Sequence, residues 1–490
     1  MKNLFVKLVS TLPFLFVFAA NIFTPIDADF GWHLKYGEYF YQHLSPLRQN
    51  IFSTMMPDYL WPNSSWITDI ITYTAFHLGG FIGVSLLGAA VVTLTFFFLA
   101  KAFKLNFLSR AILFPIIVYL ELPINTISFR GQQLSLLFLS ILLFLLETRE
   151  DKVFKFRFQR YFLIPFLFLM WVNTHGEFLL GLGVLGLYAA GNIVQVLLEK
   201  KAVSFRLVFP SLKFWSLLFL CSVLATFIDP FGFSTYTEAL THIGNADLKY
   251  IIEYLPFDEL SSSWRYTMIV GSLLGFGVFI FFFSEKLFKK ISLILIVFFL
   301  FVLTLWIKRF AWPFYYTTPA VLSAYFSFQK KEKFSTYFIG SIVLILTAIL
   351  GVWQNNPGRV LTFGWENYCK AYMNCSLKSA EFLKNRKLSE PLWTNYDWGG
   401  FLIWNYPEIK PAIDGRMHLW KDEKGYSAFD EYYPLEQNEK DIDKSRFNSA
   451  YVSRRKPIYD RLLELTQENK WKKLYEDSSA AVFTRNSQGN

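Results

Sequence analysis

The sequence predicts a mainly α protein: a polytopic transmembrane helical bundle of about eleven spans, followed by a C-terminal extracytoplasmic α/β domain. Three observations carry that expectation. The 490 residues are 53% hydrophobic and only 18% charged, with a mean hydropathy of +0.31, whereas soluble globular chains hold about 25% charged residues. The apolar residues, 55 Phe among them, gather in stretches such as those around Thr95–Leu99 and Val297–Phe301, long enough for a hydrocarbon core about 30 Å thick. Basic residues sit between these stretches in short clusters: Lys101, Lys104 and Arg110; Arg149, Lys152, Lys155, Arg157 and Arg160; Lys200, Lys201, Arg206 and Lys213; Lys286, Lys289 and Lys290; Lys330, Lys331 and Lys333. That is the positive-inside pattern. The net charge of +10 is therefore spread along the membrane boundary. It is not collected on one soluble face, as a nucleic-acid partner requires.

The first apolar stretch, Leu4 to Thr24, reads as a signal peptide or a first helix. Its length of about 20 residues favours the helix. Further spans are expected at Phe81–Ala100, Ile112–Leu122, Leu134–Leu146, Tyr161–Val172, Phe178–Leu198, Phe214–Phe227, Thr267–Phe283, Ile291–Ile307, Phe310–Phe328 and Tyr337–Trp353. The stretches Tyr161–Leu198 and Ile291–Phe328 exceed one crossing, so each is a hairpin, turned at Asn173–Gly176 and at Lys308–Arg309. Basic clusters on the inside place the remaining connections outside: Thr24–Ser65, Glu121–Arg130, the His175 turn, Asp229–Arg265 and the Lys308 turn. From Gln354 the composition turns mixed polar, which divides the chain into a membrane domain, 1–353, and a soluble domain, 354–490. In the latter, strand-like pieces (Pro391–Trp393, Pro411–Ile413, Ala480–Phe483) alternate with helix-like ones (Gly400–Trp404, Ile458–Thr466). Cys221 lies in an apolar segment; Cys369 and Cys375 could pair in an oxidising compartment, and no metal-ligand spacing of cysteines is present.

The outer segments hold the residues suited to chemistry. Directly after the first span stands Asp27-Ala-Asp-Phe-Gly-Trp-His-Leu-Lys-Tyr-Gly37. One reading is an interfacial helix capped by Asp29, with Trp32, Tyr36 and Tyr39 as an aromatic belt. The other makes Asp27 or Asp29 a general base for an acceptor hydroxyl at a membrane-surface cleft. Arg130 and the pair Lys308–Arg309 lie on the outer side, against the charge rule, each at the end of a span. Cations there require partners, either carboxylates such as Glu121 and lipid headgroups or a bound phosphate. His175 sits at the same depth, as a phosphate ligand or as a capping or packing group.

These motifs resemble those of the GT-C superfamily of polytopic membrane glycosyltransferases, which use polyprenyl-phosphate-linked sugars. The similarity is greatest to a bacterial branch with an Asp-x-Asp-x-x-Trp-His-Leu-x-x-Gly motif, matched by Asp27, Asp29, Trp32, His33, Leu34 and Gly37. It continues through Arg130 and Gln132; Trp171, Asn173, His175 and Gly176; Asp229-Pro-Phe-Gly232; Tyr396-Asp-Trp-Gly-Gly400; and Ile413-Asp-Gly-Arg416. The resemblance implies an inverting transfer in which Asp27 or Asp29 takes the acceptor proton. His33, Arg130, His175, Lys308 and Arg309 would hold the lipid phosphate as it leaves. Many superfamily members carry adjacent acids, whereas Ala28 separates these two, which leaves the choice of base open. Some relatives bind a divalent metal, for which Asp27, Asp29 and Glu177 are the available acids; no metal ligand set is assigned. Asn395–Gly399 is similar to the acceptor-binding motif of oligosaccharyltransferase catalytic subunits, which makes Asp397, Trp398, Asp414 and Arg416 acceptor-side residues; the alternative is a turn in which Asp397 caps a helix and Trp398 packs, with Asp414 and Arg416 as a local salt bridge. The implied partners are a polyprenyl-phosphate sugar, membrane lipid and a glycan, lipid or protein acceptor. Rival readings are a membrane transporter or lipid flippase, which would carry ionisable groups near the bilayer midplane, and a non-catalytic assembly protein.

Overall fold

The computed structural model describes residues 2–125, 127–148, 159–199, 205–242, 248, 250–256, 290–325, 334–354 and 363–486. The expected span Thr267–Phe283 lies outside them. So do most of the basic clusters after the first, among them Lys152, Lys155, Lys200, Lys201, Lys286, Lys289, Lys330, Lys331 and Lys333. The chain forms two compact units. One comprises Met1–Phe23, Ser85–Leu240 and Leu248–Val360; the other comprises Thr24–Val84, Thr241–Asp247 and Leu361–Asn490.

The first unit is helical because its apolar stretches are rich in Leu and Phe and few of their backbone groups could find partners outside a helix in an apolar medium. Its helices are Lys2–Ala20, the later part of Trp66–Ala102, Phe107–Leu120, Gly131–Glu147, Gln159–Val172, Phe178–Glu199, Phe205–Ala225, Ile291–Trp306, Ala311–Tyr325 and Phe334–Gln354. Each matches an expected span to within a few residues at most ends. Phe205–Ala225 begins nine residues before the expected Phe214, and Trp66–Ala102 departs furthest: it begins well before Phe81 and bends at Gly80, whose φ of +58° is a left-handed conformation open to glycine. Among the described residues, three helices are long and apolar enough to cross a membrane (Trp66–Ala102, Phe178–Leu198 and Val208–Ala225), and six more are apolar but shorter. Phe96, Phe114, Leu142, Phe168, Trp171, Leu185, Leu300 and Phe314 are buried within one continuous core. Phe162, Leu217, Leu220, Leu224, Phe338 and Ile345 are exposed. Helices apolar on both faces are what a lipid surround demands.

The second unit carries a four-stranded sheet of order β1-β2-β4-β3, with β1 Leu392–Thr394, β2 Ser449–Ser453, β3 Trp471–Glu476 and β4 Ala480–Arg485. β1 pairs parallel to β2 (Leu392 with Ser449), and β2 and β3 both pair antiparallel to β4 (Tyr451 and Tyr475 each with Val482). Strand β2 is buried at every position, so it lacks the alternation by which sequence reveals a strand. The expected strand at Pro411–Ile413 is irregular chain; the carbonyls of Pro411 and Ala412 accept from the N–H groups of Thr54 and Met55 at 2.9 and 3.1 Å. The helices Gly399–Asn405 and Pro457–Gln467 stand where the sequence places them, and Cys369 is joined to Cys375.

The helix Phe30–His43 belongs to this unit and packs on Gly399–Asn405. A Cβ on Gly31 would lie 1.9 Å from the Gly400 carbonyl oxygen, so only glycine permits that approach. Trp32 and Tyr36, expected as an interfacial belt, are instead buried with Leu47, Phe52 and Ile403. The difference follows from Thr24–Val84 folding with the C-terminal segment, which turns an apolar helix face into core.

Candidate active site

The chain reverses at Asp27 through a side-chain turn. Asp27 Oδ1 accepts the Asp29 N–H at 3.1 Å, and the Asp29 carbonyl then accepts from Trp32 and His33 at the head of the helix. Asp29 occupies the N-cap position, yet its carboxylate makes no cap hydrogen bond. The capping role expected of it is thus absent. Asp27, Asp29 and His33 each present a ligand atom within 4.8 Å of the other two. The second unit holds this loop at three points. Tyr368 donates its hydroxyl to the Asp27 carbonyl at 2.7 Å. Gly400 backs Ala28, and Gly415 lies so close to Asp29 that a Cβ there would sit 1.7 Å from Oδ1. Two carboxylates and an imidazole form a donor set suited to a divalent cation such as Mn²⁺ or Zn²⁺, and the residues present fit one.

His33 Nδ1 lies 2.5 Å from Asp69 Oδ1, and Asn63 Nδ2 donates to Asp69 Oδ2 at 2.6 Å. Asp69 is fully buried. Neither Asp69 nor Asn63 follows from the sequence reading: they stand 36 and 30 residues from His33, and no local spacing links them to it.

Of the residues assigned to a donor phosphate, His33 belongs to the second unit, beside Asp27, Asp29 and Asp69; the other four lie in the first unit and gather around a different set of acids. Arg309 donates from Nε to Glu177 at 3.1 Å, and from Nη1 to Glu253 at 2.6 Å and to the Tyr254 hydroxyl at 2.9 Å; its Nη2 stands 3.2 Å from His175 Nε2. A guanidinium only donates, so His175 Nε2 carries the lone pair. Its Nδ1–H then donates to Ser135 Oγ at 2.8 Å, which also accepts from Trp171 Nε1 at 2.9 Å. The Ser135 hydroxyl proton is left for Glu177, whose carboxyl it helps to hold charged. His175 in this arrangement is a neutral acceptor of Arg309. Arg130 acts electrostatically on Tyr254, and Lys308, 3% exposed, acts with Glu253. Burial pushes the Lys308 ammonium down to about 8 despite Glu253. Burial pushes the Glu177 carboxyl up, against the Arg309 charge. Arg130, His175, Lys308 and Arg309 are thus brought together, and among the described residues the carboxylates facing Arg309 are Glu177 and Glu253. Glu121, the acid suggested by sequence as a cation's partner, is fully buried, with no hydrogen bond to either oxygen among the described residues.

The acceptor-side residues divide by burial. Asp397 is half exposed and paired with Lys456 at 3.3 Å. Trp398 is fully buried, donating to the Met373 carbonyl at 3.0 Å. Asp414 and Arg416 have wholly buried side chains, 2.7 Å apart. Arg416 also donates to Asn50 at 2.9 Å and to Ser53 at 3.2 Å, and its guanidinium lies 5.1–6.0 Å from the rings of Phe52, Trp420, Trp61 and Trp32. Burial opposes the Asp414 charge, but Arg416 and Ser53 outweigh it and hold the carboxyl below its usual range. This pair fastens the loop around Asn50–Ser53 to the C-terminal segment, and burial keeps it from direct contact with an acceptor in this conformation.

No protein-family model and no curated protein sequence matches the chain. Solved structures do. The oligosaccharyltransferase of Archaeoglobus fulgidus superposes in its apo form with a TM-score of 0.55 at 10% identity, covering 98% of this chain and 74% of that one. The same enzyme tethered to an acceptor peptide containing the NVT sequon gives 0.56 at 11% identity, with the same coverage. The chain has the GT-C fold. A third similar structure is ArnT from Cupriavidus metallidurans bound to undecaprenyl phosphate, with a TM-score of 0.50 at 10% identity over 100% of this chain and 99% of that one. The GT-C resemblance read from the motifs is thereby shown at the level of fold.

Proposed function

We propose that this protein is an integral-membrane glycosyltransferase that moves a sugar from a polyprenyl-phosphate-linked donor to an acceptor hydroxyl or amide at the extracytoplasmic face, with inversion at the anomeric carbon. The observation that carries the reading is the meeting of Asp27, Asp29 and His33 at the head of one helix in a chain of GT-C fold. The neighbours bind undecaprenyl phosphate and an acceptor peptide, which supports a lipid-linked donor here.

In the proposed reaction Asp27 or Asp29 removes the acceptor proton. The acceptor atom bonds to the anomeric carbon from the face opposite the phosphate. The bond from that carbon to the phosphate oxygen breaks, and polyprenyl phosphate leaves with the electron pair. Arg130, Lys308 and Arg309 are the cations assigned to that charge; binding there requires the phosphate to share Arg309 with Glu177 and Glu253. A divalent cation, held by Asp27, Asp29 and His33, would supply Lewis-acid stabilisation when bound. Asp397 is the exposed member of the acceptor set, with Trp398, Asp414 and Arg416 shaping the surface behind it. The Cys369–Cys375 disulfide supports an oxidising, extracytoplasmic location for the C-terminal domain.

The test is turnover of a panel of undecaprenyl-phosphate-linked sugars by Asp27→Asn and Asp29→Asn. Loss of a general base lowers turnover by ~10²-fold or more, with the melting temperature preserved. Wild-type turnover in both variants would end the assignment, and lipid movement without glycosyl transfer would favour a flippase.

A further inference from the structure

We infer that Asp69 is a positioning residue for His33, held by Asn63: it fixes the imidazole as the Nδ1–H tautomer and leaves Nε2, with its lone pair, as the nitrogen that serves the Asp27–Asp29 site. The inference deepens the proposed function and rests on its placing the active centre at these acids.

The Ser65 N–H donates to Asn63 Oδ1 at 2.9 Å. An amide oxygen so engaged leaves Asn63 Nδ2, a donor only, facing Asp69 Oδ2 at 2.6 Å. Asp69 therefore accepts at Oδ2. Its other oxygen meets His33 Nδ1 at 2.5 Å, and an ionised carboxylate is acceptor-only, so the proton between them belongs to Nδ1. A neutral imidazole carries one N–H. Nε2 then bears the lone pair, the form that ligates a cation or accepts from a hydroxyl. Buried carboxylates that take the distal N–H of a ligating histidine orient the ring and raise its basicity.

The fold spends a costly group on this contact. Asp69 is 0% exposed and Asn63 1% exposed; a buried carboxylate is costly unless it is hydrogen-bonded, and His33 and Asn63 supply one donor to each of its oxygens. Asp69 stands in the first turn of the helix Trp66–Ala102, where the backbone dipole favours an anion. A Cβ on Gly37 would come within 2.4 Å of the Asp69 carbonyl oxygen. Glycine at position 37 thus lets the helix Phe30–His43 approach closely enough for His33 to reach the acid. The Trp-His-Leu-x-x-Gly stretch acquires a physical reading: His33 is the functional group and Gly37 the clearance for its partner.

The experiment is ¹⁵N NMR of the full chain in detergent, labelled at histidine, with His33 assigned through His33→Gln. Wild-type protein should show an unprotonated Nε2 at His33. Asp69→Leu, which removes the acceptor at similar volume, should shift the ring to the Nε2–H tautomer or to a mixture. A wild-type His33 protonated at Nε2 overturns the proposal, whether or not the variant folds. Mn²⁺ titration followed by electron paramagnetic resonance gives a second readout. Asp69→Leu should weaken Mn²⁺ by 10- to 100-fold, towards the level of His33→Gln. Mn²⁺ affinity equal to wild type in Asp69→Leu, with clear loss in His33→Gln, overturns it as well. A wild-type protein with the Nδ1–H tautomer and no Mn²⁺ binding supports the positioning role while removing the cation from the proposed function. Near-normal turnover in Asp27→Asn and Asp29→Asn would instead strike the proposed function and leave the tautomer result standing.

Discussion

Gly415→Ala offers a sharp separation of geometry from stability. The added Cβ would stand 1.7 Å from Asp29 Oδ1, 2.8 Å from Asp29 Cγ and 3.2 Å from Oδ2. A contact of about 3.5–4 Å is the nearest comfortable distance between unbonded heavy atoms, so the Asp29 carboxylate must move by well over about 1 Å. It can do so cheaply: the obstructing atoms are the end of one side chain, and Gly415 is not among the glycines with a left-handed φ, so alanine fits its backbone. Displacement of a reacting group by ~1 Å costs on the order of 10²-fold in rate. An alanine that forces no backbone change belongs with substitutions worth about 1 kcal/mol or less in stability. Turnover of undecaprenyl-phosphate-linked sugars and a detergent melting curve on the same preparation measure the two effects. A drop of ~10²-fold in turnover with a nearly unchanged melting temperature is expected. Full activity would show that the position of Asp29 does not matter to the reaction and would refute its place in the site.

Two further outcomes follow from the described charges. Lys308, pushed down to about 8 by burial, is ionised only below that pH, so its contribution to phosphate binding should be complete below about pH 7 and fade as pH rises through its shifted pKa. Affinity for undecaprenyl phosphate, whose own second ionisation near pH 6 is finished by then, should fall across that interval. Lys308→Arg should abolish the fall, and a flat wild-type profile would remove Lys308 from the donor site. Arg416→Met should destabilise the protein by about 3–5 kcal/mol, because it leaves the Asp414 carboxylate buried without its partner. The double variant Arg416→Met, Asp414→Leu should recover much of that loss by chemical denaturation; failure of the double variant to recover would mean that the guanidinium's ring contacts, and not the ion pair, hold the loop.

The membrane reading and most of the helix boundaries were legible in the sequence because they depend on composition over about twenty residues, a property that survives without knowledge of neighbours. The two carboxylates and the imidazole of the site were legible for a related reason. Asp27, Asp29 and His33 lie within one turn and the helix it opens, and local geometry alone brings them together. The same holds for His175 and Glu177 beside their hairpin turn, although that Arg309 faces Glu177, Glu253 and His175 emerged only from the fold. Strand β2 escaped detection because its residues are buried on both faces. The belt, one of two readings open for Trp32 and Tyr36, is set aside by their burial; a buried aromatic face and an interfacial one have the same pattern in sequence.

What only the tertiary structure decided are the partners that come from far along the chain. Asp69 reaches His33, Gly415 reaches Asp29, Tyr368 reaches the Asp27 carbonyl and Arg416 reaches Asn50, across separations of 36 to 386 residues. None of these contacts leaves a periodicity or a spacing behind. Each depends on Thr24–Val84 folding with the C-terminal segment into one unit, and that association is driven by burial of Trp32, Tyr36 and Trp61 against Ile403 and Trp420. Residue type along the chain determined which chemical groups the protein possesses; close packing of distant segments determined which of them stand beside one another, and hence which proton each can hold.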